Sequence, residues 1–179
     1  PQVHLKHNTG YLLASKALPH YDQSIGSFAS AIDAINKKFT GTRIEPMAPG
    51  LAEPYMPSTG GRPDIGLNPG WAVTYLLSMD EKAKAATLGT ADLAGSWSVH
   101  YRDKNTDRPV SLLNYPYMSV NAPVGDTINP ATKTSELFPA CGGICANPNV
   151  ADPAHQPQFA YLPYMLTGDY YYLEELQFW

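Results

Sequence analysis

The sequence is poor in charge and in long apolar runs, and each shortage excludes a class of protein. Charged residues make up only 16% of the 179 residues, below the roughly 25% usual in soluble domains, so the chain is globular and not intrinsically disordered. The formal net charge of −4 argues against a nucleic-acid or anionic-membrane partner, since both require clustered Lys and Arg. The longest apolar run, near Trp71 to Met79, is about ten residues, too short to span a membrane.

Cysteine is also scarce, and its two copies lie close together in the sequence. Cys141 and Cys145 are separated by Gly-Gly-Ile, and the glycines allow the turn that a small disulfide loop requires. Free thiols remain the alternative, because two thiolates alone do not complete a zinc site. A disulfide would indicate an oxidising compartment. The sequence has no Asn-x-Ser/Thr sequon, so N-glycosylation is not expected.

Established catalytic motifs are missing as well. The sequence contains no Gly-x-Ser-x-Gly elbow, no His-Glu-x-x-His, no P-loop and no dinucleotide-binding glycine motif. His4 and His7 form a His-x-x-His pair, which leaves a metal-dependent enzyme open as a weaker alternative. We therefore expect no cofactor and no metal.

Hydrophobic periodicity predicts helices separated by irregular segments. Helical spacing of apolar residues predicts one helix over Ile25 to Phe39 and another beginning after Pro69. Asp80 is a natural N-cap for a helix from Glu81 to about Gly95, whose Ala-rich face would allow a partner helix to approach closely. The 14 Gly and 17 Pro concentrate in the intervening loops. The longest loop follows a predicted short strand over Trp97 to Tyr101.

One pattern occurs twice in the sequence. Tyr75-Leu-Leu-Ser-Met-Asp80 corresponds to Tyr164-Met-Leu-Thr-Gly-Asp169, each within an apolar run that follows a Pro and precedes a helix-compatible run. We interpret both as a helix, a tight turn and an Asp-capped second helix, an αα-hairpin used twice. Because hairpins cannot bury their apolar faces alone, the repetition predicts a stacked or closed array, with chance similarity of two helix ends as the alternative.

The second copy, Leu-Thr-Gly-Asp-Tyr-Tyr-Tyr-Leu-Glu-Glu-Leu-Gln-Phe-Trp, resembles the hairpin turns of (α/α) toroid proteins, which include the six-hairpin glycosidases and the toroidal polysaccharide lyases. The resemblance implies a mainly α fold of antiparallel helical hairpins with long irregular Pro/Gly-rich loops. A complete toroid needs several hundred residues, so residues 1–179 are expected to form a single helical-hairpin domain within a longer toroid. The resemblance further implies an extracellular or periplasmic polysaccharide lyase or glycoside hydrolase.

The densest polar and aromatic cluster supplies the candidate catalytic residues. A neutral His100, with Tyr101 and Arg102 beside it, is the set that β-elimination on a uronic acid requires. Arg neutralises the carboxylate, His or Tyr removes the adjacent proton, and Tyr protonates the leaving oxygen. The resemblance supports this set, since toroidal lyases use His, Tyr, Arg and Asn. The alternative is that this cluster belongs to a half-buried strand, in which the polar ends of the Tyr and His side chains form hydrogen bonds.

His155, which precedes the second predicted hairpin, is a further candidate base, with capping or packing as its alternative role. Residues near the predicted helix starts and the aromatic residues are candidate substrate contacts, because aromatic rings stack on sugar faces. These five are Asp64, Asn68, Trp97, Tyr161 and Tyr164.

The last helix carries three consecutive tyrosines, Tyr170 to Tyr172, which cannot all face one side, so at least one is exposed or meets a partner. Glu174 and Glu175 are interpreted as a solvated helix face. The expected partners are a polysaccharide or oligosaccharide and the rest of the parent chain or other copies of it. The alternative function is a non-enzymatic helical-array module of a cell-surface or viral assembly, whose long loops wrap neighbouring copies.

Overall fold

The structure, a computed structural model, describes residues 3, 5–20, 22–26, 28–52, 66, 68–96, 100–118, 127–136 and 159–178. Over these residues the protein is mainly helical, as predicted, and its strand-like pairing is limited to two isolated β-bridges. In chain order the α-helices are α1 (Thr9–Ala14), α2 (Ala29–Lys38), α3 (Gly70–Ser78), α4 (Glu81–Asp92), α5 (Tyr161–Thr167) and α6 (Tyr170–Phe178). Short 3₁₀ segments cover Gly41–Ile44 and Ala94–Ser96.

The start of α2 differs from the prediction. The helix begins at Ala29, four residues after Ile25, which remains 52% exposed. Before it, the Asp22 carboxylate accepts a hydrogen bond from the Ser24 backbone N–H, and this local turn competes with helical geometry. The helix buries only Ile35 completely, so its amphipathic stripe is narrower than the sequence indicates.

The turn between α3 and α4 is built by local hydrogen bonds. Met79 takes a left-handed conformation with φ of 55°, and its N–H donates to the Tyr75 carbonyl at 2.7 Å. The Asp80 carboxylate then accepts from the backbone N–H groups of Lys82 and Ala83, capping α4 as predicted. The two helices pack against each other along this connection.

The turn between α5 and α6 has the same construction. Gly168 is left-handed with φ of 69°, and its N–H donates to the Tyr164 carbonyl at 2.8 Å. The Asp169 carboxylate accepts from the Tyr171 N–H at 2.9 Å, and α5 packs against α6. The two copies of the sequence pattern therefore adopt one local geometry.

Helix α4 lies at the centre of the packing and contacts α2, α3 and α5. Its completely buried residues are all small, which lets the neighbouring backbones approach closely: Ala83, Ala86, Thr87, Thr90 and Ala91. At Gly89 an added Cβ would lie 2.6 Å from the tip of the Phe39 ring, so a side chain at this position would require that ring to move. The predicted small-residue face is therefore the surface on which the neighbouring helices dock.

A single cluster of buried apolar residues joins the N-terminal segment, α2, α3, α4 and the last helix pair. The Thr9 hydroxyl donates to the Leu76 carbonyl at 3.1 Å, and the Tyr161 hydroxyl donates to the Ala17 carbonyl. The ring centroids of Trp71 and Phe159 are 5.6 Å apart. These contacts connect the first and last parts of the described chain to α3 and to each other. None of the helices within the described ranges is long and apolar enough to cross a membrane.

Candidate functional site

His100 and Glu175 form the most distinctive polar contact of the described chain. His100 follows the 3₁₀ segment after α4, and Glu175 lies in the middle of α6. The His100 Nε2 and Glu175 Oε2 atoms are 2.9 Å apart, with side-chain exposures of 18% and 8%. A carboxylate this buried requires a donor, and the imidazole provides one. We call this pair the His100–Glu175 site.

The surroundings of His100 determine which nitrogen can accept a proton. The Phe178 ring stacks on the imidazole with centroids 4.0 Å apart and planes 25° from parallel, so one face of the ring is covered. When Glu175 is ionised, it accepts the proton carried on Nε2, and the neutral ring then keeps its lone pair on Nδ1. The pair thus resembles a general base whose orientation is fixed by a carboxylate.

Two tyrosines from the first turn of α6 lie beside this pair and bind the C-terminal end of α4. The Tyr171 hydroxyl accepts from the Gly95 N–H at 3.0 Å and donates to the Asp92 carbonyl at 2.9 Å. The Tyr172 hydroxyl donates to the Asp92 carboxylate at 2.6 Å. These bonds satisfy a terminal carbonyl that α4 itself leaves without a partner.

Both tyrosines are held in their neutral form. Burial raises the pKa of Tyr171, the Gly95 hydrogen bond acts against that rise, and the nearby Glu175 and Asp92 charges add to it. Burial also raises the pKa of Tyr172, assisted by its hydrogen bond to Asp92. Each hydroxyl is therefore a proton donor at neutral pH and not a base.

Gly95 is the residue of the 3₁₀ segment that lies against the Tyr171 hydroxyl and the Glu175 carboxylate. A Cβ at this position would lie 2.8 Å from the Tyr171 hydroxyl and 3.2 Å from Glu175 Oε1. The first distance is too short for a carbon-to-oxygen contact and the second is unusually tight, so a side chain here would displace both groups. The absence of a side chain at Gly95 thus lets α6 bring its tyrosine and its carboxylate to the same point.

Arg102, the predicted carboxylate-neutralising residue, is engaged locally. Its Nε lies 2.9 Å from Asp107 Oδ1, and its guanidinium also donates to the Asp107 carbonyl. Both side chains are largely exposed. Tyr101 is half-buried, and its carbonyl accepts from the Val110 N–H at 3.3 Å. The described contacts therefore connect His100 to α6, and Arg102 to the loop that follows it.

Three of the predicted substrate contacts fall within the described residues. Tyr161 is half-buried, and its hydroxyl is used in the bond to Ala17. Tyr164 is half-buried against the core. The amide nitrogen and oxygen of Asn68 are both buried and lack a hydrogen-bond partner among the described atoms. The Asn68 amide therefore keeps unused hydrogen-bonding capacity among the described atoms.

Several of the sequence predictions concern residues outside the described ranges. They are the candidate base His155, the candidate substrate contacts Asp64 and Trp97, most of the predicted strand before His100, and the cysteines Cys141 and Cys145.

The interpretation of Glu174 and Glu175 as a solvated face is wrong for one of the two. Glu174 is exposed, but Glu175 retains only 6% of its accessible surface. Its hydrogen-bond partner, His100, lies 75 residues earlier, so no local pattern indicates this contact. The tyrosine prediction is confirmed, because Tyr170 is 70% exposed whereas Tyr172 is buried.

No group of three or more His, Cys, Asp or Glu side chains suited to a metal ion occurs within the part of the chain that the structure describes. Comparison with known proteins finds no matching family model, no matching curated protein and no matching solved structure. The functional assignment consequently rests on the residues of this chain.

Proposed function

We propose that the chain is part of a carbohydrate-active protein of (α/α) toroid type that cleaves a uronate-containing polysaccharide by β-elimination, with His100 as the general base. The observation that carries this assignment is the 2.9 Å contact between His100 and the buried Glu175. A carboxylate on one imidazole nitrogen leaves the other nitrogen available to take a proton.

The reaction would use groups of the described chain in defined roles. His100 removes the proton from the carbon beside the uronate carboxylate, and the electron pair forms a carbon–carbon double bond. The bond from the next carbon to the glycosidic oxygen breaks, and that oxygen receives a proton from a neutral tyrosine hydroxyl. Tyr101, next to His100 in the sequence, is the candidate donor, and Glu175 stabilises the imidazolium that forms.

Arg102 would neutralise the substrate carboxylate by exchanging its present partner. Its bond to Asp107 is an exposed ion pair with side-chain exposures of 62% and 89%. Exposed pairs contribute about 0–1 kcal/mol, so replacement of the Asp107 carboxylate by a substrate carboxylate has a low energetic cost. The same guanidinium fork fits either carboxylate.

The toroid assignment is supported by the repeated turn. The α3–α4 and α5–α6 connections share a left-handed residue, an N–H bond back to a tyrosine carbonyl, and an Asp that caps the next helix. Antiparallel hairpins of one construction, packed through α4, are the unit from which an (α/α) toroid is assembled. Such a protein would act on extracellular or periplasmic substrates.

The experiment is an absorbance assay for the unsaturated uronate product, with the purified protein and a panel of uronate polymers. His100→Gln keeps a donor for Glu175 but removes the base, so turnover should fall at least about 100-fold. His20→Gln is the matched control, since His20 is an exposed histidine, and it should retain full turnover. Turnover by His100→Gln equal to that of the unaltered protein would refute the assignment of the base.

The alternative is a non-enzymatic helical module, and one observation favours it. The hydroxyls of Tyr171 and Tyr172 are used to bind the end of α4, so part of the cluster serves packing. In that case His100 and Glu175 fasten the chain after α4 to α6. Absence of turnover on every uronate polymer would remove the lyase assignment and leave hydrolysis or binding, and a His100→Gln variant that lowers only the free energy of unfolding would favour the module.

A further inference from the structure

An exposed stripe of side chains runs along α6 and ends at the His100–Glu175 site. Tyr170, Glu174 and Phe178 are spaced four residues apart, so they lie on one side of the helix. Tyr170 is 70% exposed, Phe178 is 40% exposed, and Glu174 is exposed between them. We call these three residues the α6 stripe, which extends about 12 Å along the helix axis.

Phe178 connects the stripe to the proposed general base. Its ring stacks on the His100 imidazole with centroids 4.0 Å apart, while part of the residue stays accessible. Tyr170 lies about two turns earlier on the same helix. A polymer that places its reacting unit at His100 and follows α6 therefore brings its neighbouring units onto the stripe.

The stripe offers the two kinds of contact that a sugar ring uses. The Tyr170 and Phe178 rings present apolar faces, on which the C–H face of a sugar stacks. The Glu174 carboxylate accepts hydrogen bonds from hydroxyl groups, and its charge strengthens them. Gln177, exposed one residue before Phe178, can both donate and accept. A purely apolar partner would cover these two polar side chains without satisfying them, which disfavours it.

The charged side chains of the last helix pair and its connecting turn are all acidic. Residues 159–178 include Asp169, Glu174 and Glu175 but no Lys, Arg or His. Helix α4, whose C-terminal end binds the α6 tyrosines, has no basic residue in its last turn and ends at Asp92. Glu174 has no ion-pair partner within the described ranges. A sugar that carries a carboxylate would therefore be repelled from the middle of the stripe, whereas a neutral sugar would not.

We infer that the α6 stripe binds a neutral sugar unit next to the uronate that reacts at His100, so that the substrate is a polymer in which charged and neutral units are interleaved. This inference rests on the proposed function and specifies its substrate class. His100 meets the stripe at Phe178, and Arg102 follows two residues later, so the cationic groups of the proposed site belong to that end. A polymer made only of uronate units would place a second carboxylate against Glu174.

Neutralisation of carboxylates on a fixed backbone tests the inference. Isothermal titration calorimetry compares polygalacturonate, polymannuronate and polyglucuronate with forms of each in which half of the carboxylates are methyl esters. The His100→Gln variant is used, since it lacks the proposed base and leaves the polymers intact. At low salt a half-esterified polymer should bind at least about 5-fold more tightly than its fully charged parent. Sodium chloride at about 1 M should reduce this preference below about 2-fold, because it screens the repulsion.

Two exposed residues of the stripe are then varied, each with a matched control. Glu174→Gln should remove most of the preference for the half-esterified form, whereas Glu45→Gln, at an exposed glutamate outside the stripe, should leave it unchanged. Tyr170→Ala should weaken binding of the half-esterified form about 5-fold. Tyr11→Ala, which removes a tyrosine that is 69% exposed, should change that affinity less than about 2-fold.

Equal affinity for the charged and half-esterified forms would overturn the inference, and so would binding that Tyr170→Ala leaves unchanged, or absence of binding to every polymer. Failure of the proposed function is distinguishable, because binding is measured without turnover. If binding is as expected but the unaltered protein forms no unsaturated product, the β-elimination assignment fails and the binding role of the stripe stands. Product formation that neither Tyr170→Ala nor Glu174→Gln alters would retain the proposed function and overturn the inference.

Discussion

Ser78 and Thr167 occupy equivalent places in the two turns of the chain and make the same pair of hydrogen bonds. Each hydroxyl donates to the carbonyl four residues earlier, at 2.6 Å from Ser78 and 2.8 Å from Thr167. Each also accepts, at 3.1 Å, the N–H of the Asp that follows two residues later. One hydroxyl thus connects the end of one helix to the start of the next, and these hydrogen bonds lie within seven consecutive residues of each turn.

Removal of the cap at Asp80 should destabilise α4. Asp80→Ala leaves the N–H groups of Lys82 and Ala83 without their acceptor, and the free energy of unfolding should fall by about 1 kcal/mol in urea denaturation. Asp80→Asn should have a much smaller effect, because asparagine caps equally well. Asp33→Ala, an exposed helix position, serves as the control, and a loss there as large as that of Asp80→Ala would contradict the role of the cap.

A side chain at Gly168 should reduce stability because of the backbone conformation alone. An added Cβ would meet no atom within 4 Å, but φ is +69°, so Gly168→Ala should reduce stability by about 1–2 kcal/mol. Gly26→Ala is the matched control, since an added Cβ also meets no atom there and no positive φ is involved. Equal melting temperatures for the two variants would show that the turn does not depend on its left-handed residue.

Gly95→Ala should disturb the His100–Glu175 site through steric contact. The new Cβ would lie 2.8 Å from the Tyr171 hydroxyl, and overpacking of this kind costs about 1–3 kcal/mol. Tyr171→Phe removes the contacting oxygen, so Gly95→Ala should cost less in that background. A double-mutant cycle of thermal unfolding measures the difference, and strict additivity would mean that the two residues do not interact.

The buried hydroxyl of Tyr75 should make stability fall at alkaline pH. Burial, with a smaller contribution from the Glu81 charge, raises the pKa of Tyr75 to about 12, against about 10 in the unfolded chain. The neutral form is favoured in the folded state, so its stabilising contribution is complete below pH 10 and is lost as the pH rises toward 12.

Tyr75→Phe isolates this effect. The hydroxyl has no hydrogen-bond partner among the described atoms, so at pH 7 the variant should be as stable as the unaltered protein or slightly more stable. At pH 11 it should be more stable by about 1 kcal/mol. Tyr170→Phe, at an exposed tyrosine, should show no such pH-dependent gain, and chemical denaturation at both pH values makes the comparison.

The sequence predicts elements whose signals are local and misses relationships that are distant. The start of α4 is correctly predicted because Asp80 and the amides it caps are adjacent in the chain. The start of α2 is placed too early because apolar spacing continues to Ile25, whereas the Asp22–Ser24 turn directs the chain elsewhere. Hydrophobic periodicity alone does not show whether such a turn or a helix is the more stable local structure.

The candidate site shows the same division. His100 is selected by its polar and aromatic neighbours in the sequence, but Glu175 is not, because its partner is remote and Glu residues on a terminal helix are usually solvated. The sequence does not indicate the role of Gly95 either, because that role depends on how closely α6 approaches the 3₁₀ segment. Glu175 and Gly95 are therefore identified as parts of the site only from the three-dimensional packing.

The composition of α4 has a consequence for how the sequence can vary. Three neighbouring helices pack on α4, whose fully buried residues are all Ala or Thr, so an added methyl group at one of those positions would overpack the contact. Homologous chains should therefore conserve a small side-chain volume at the buried positions of this helix more strictly than polarity, with Ala and Ser exchanging there. The outward positions of α2, by contrast, should diverge without restriction.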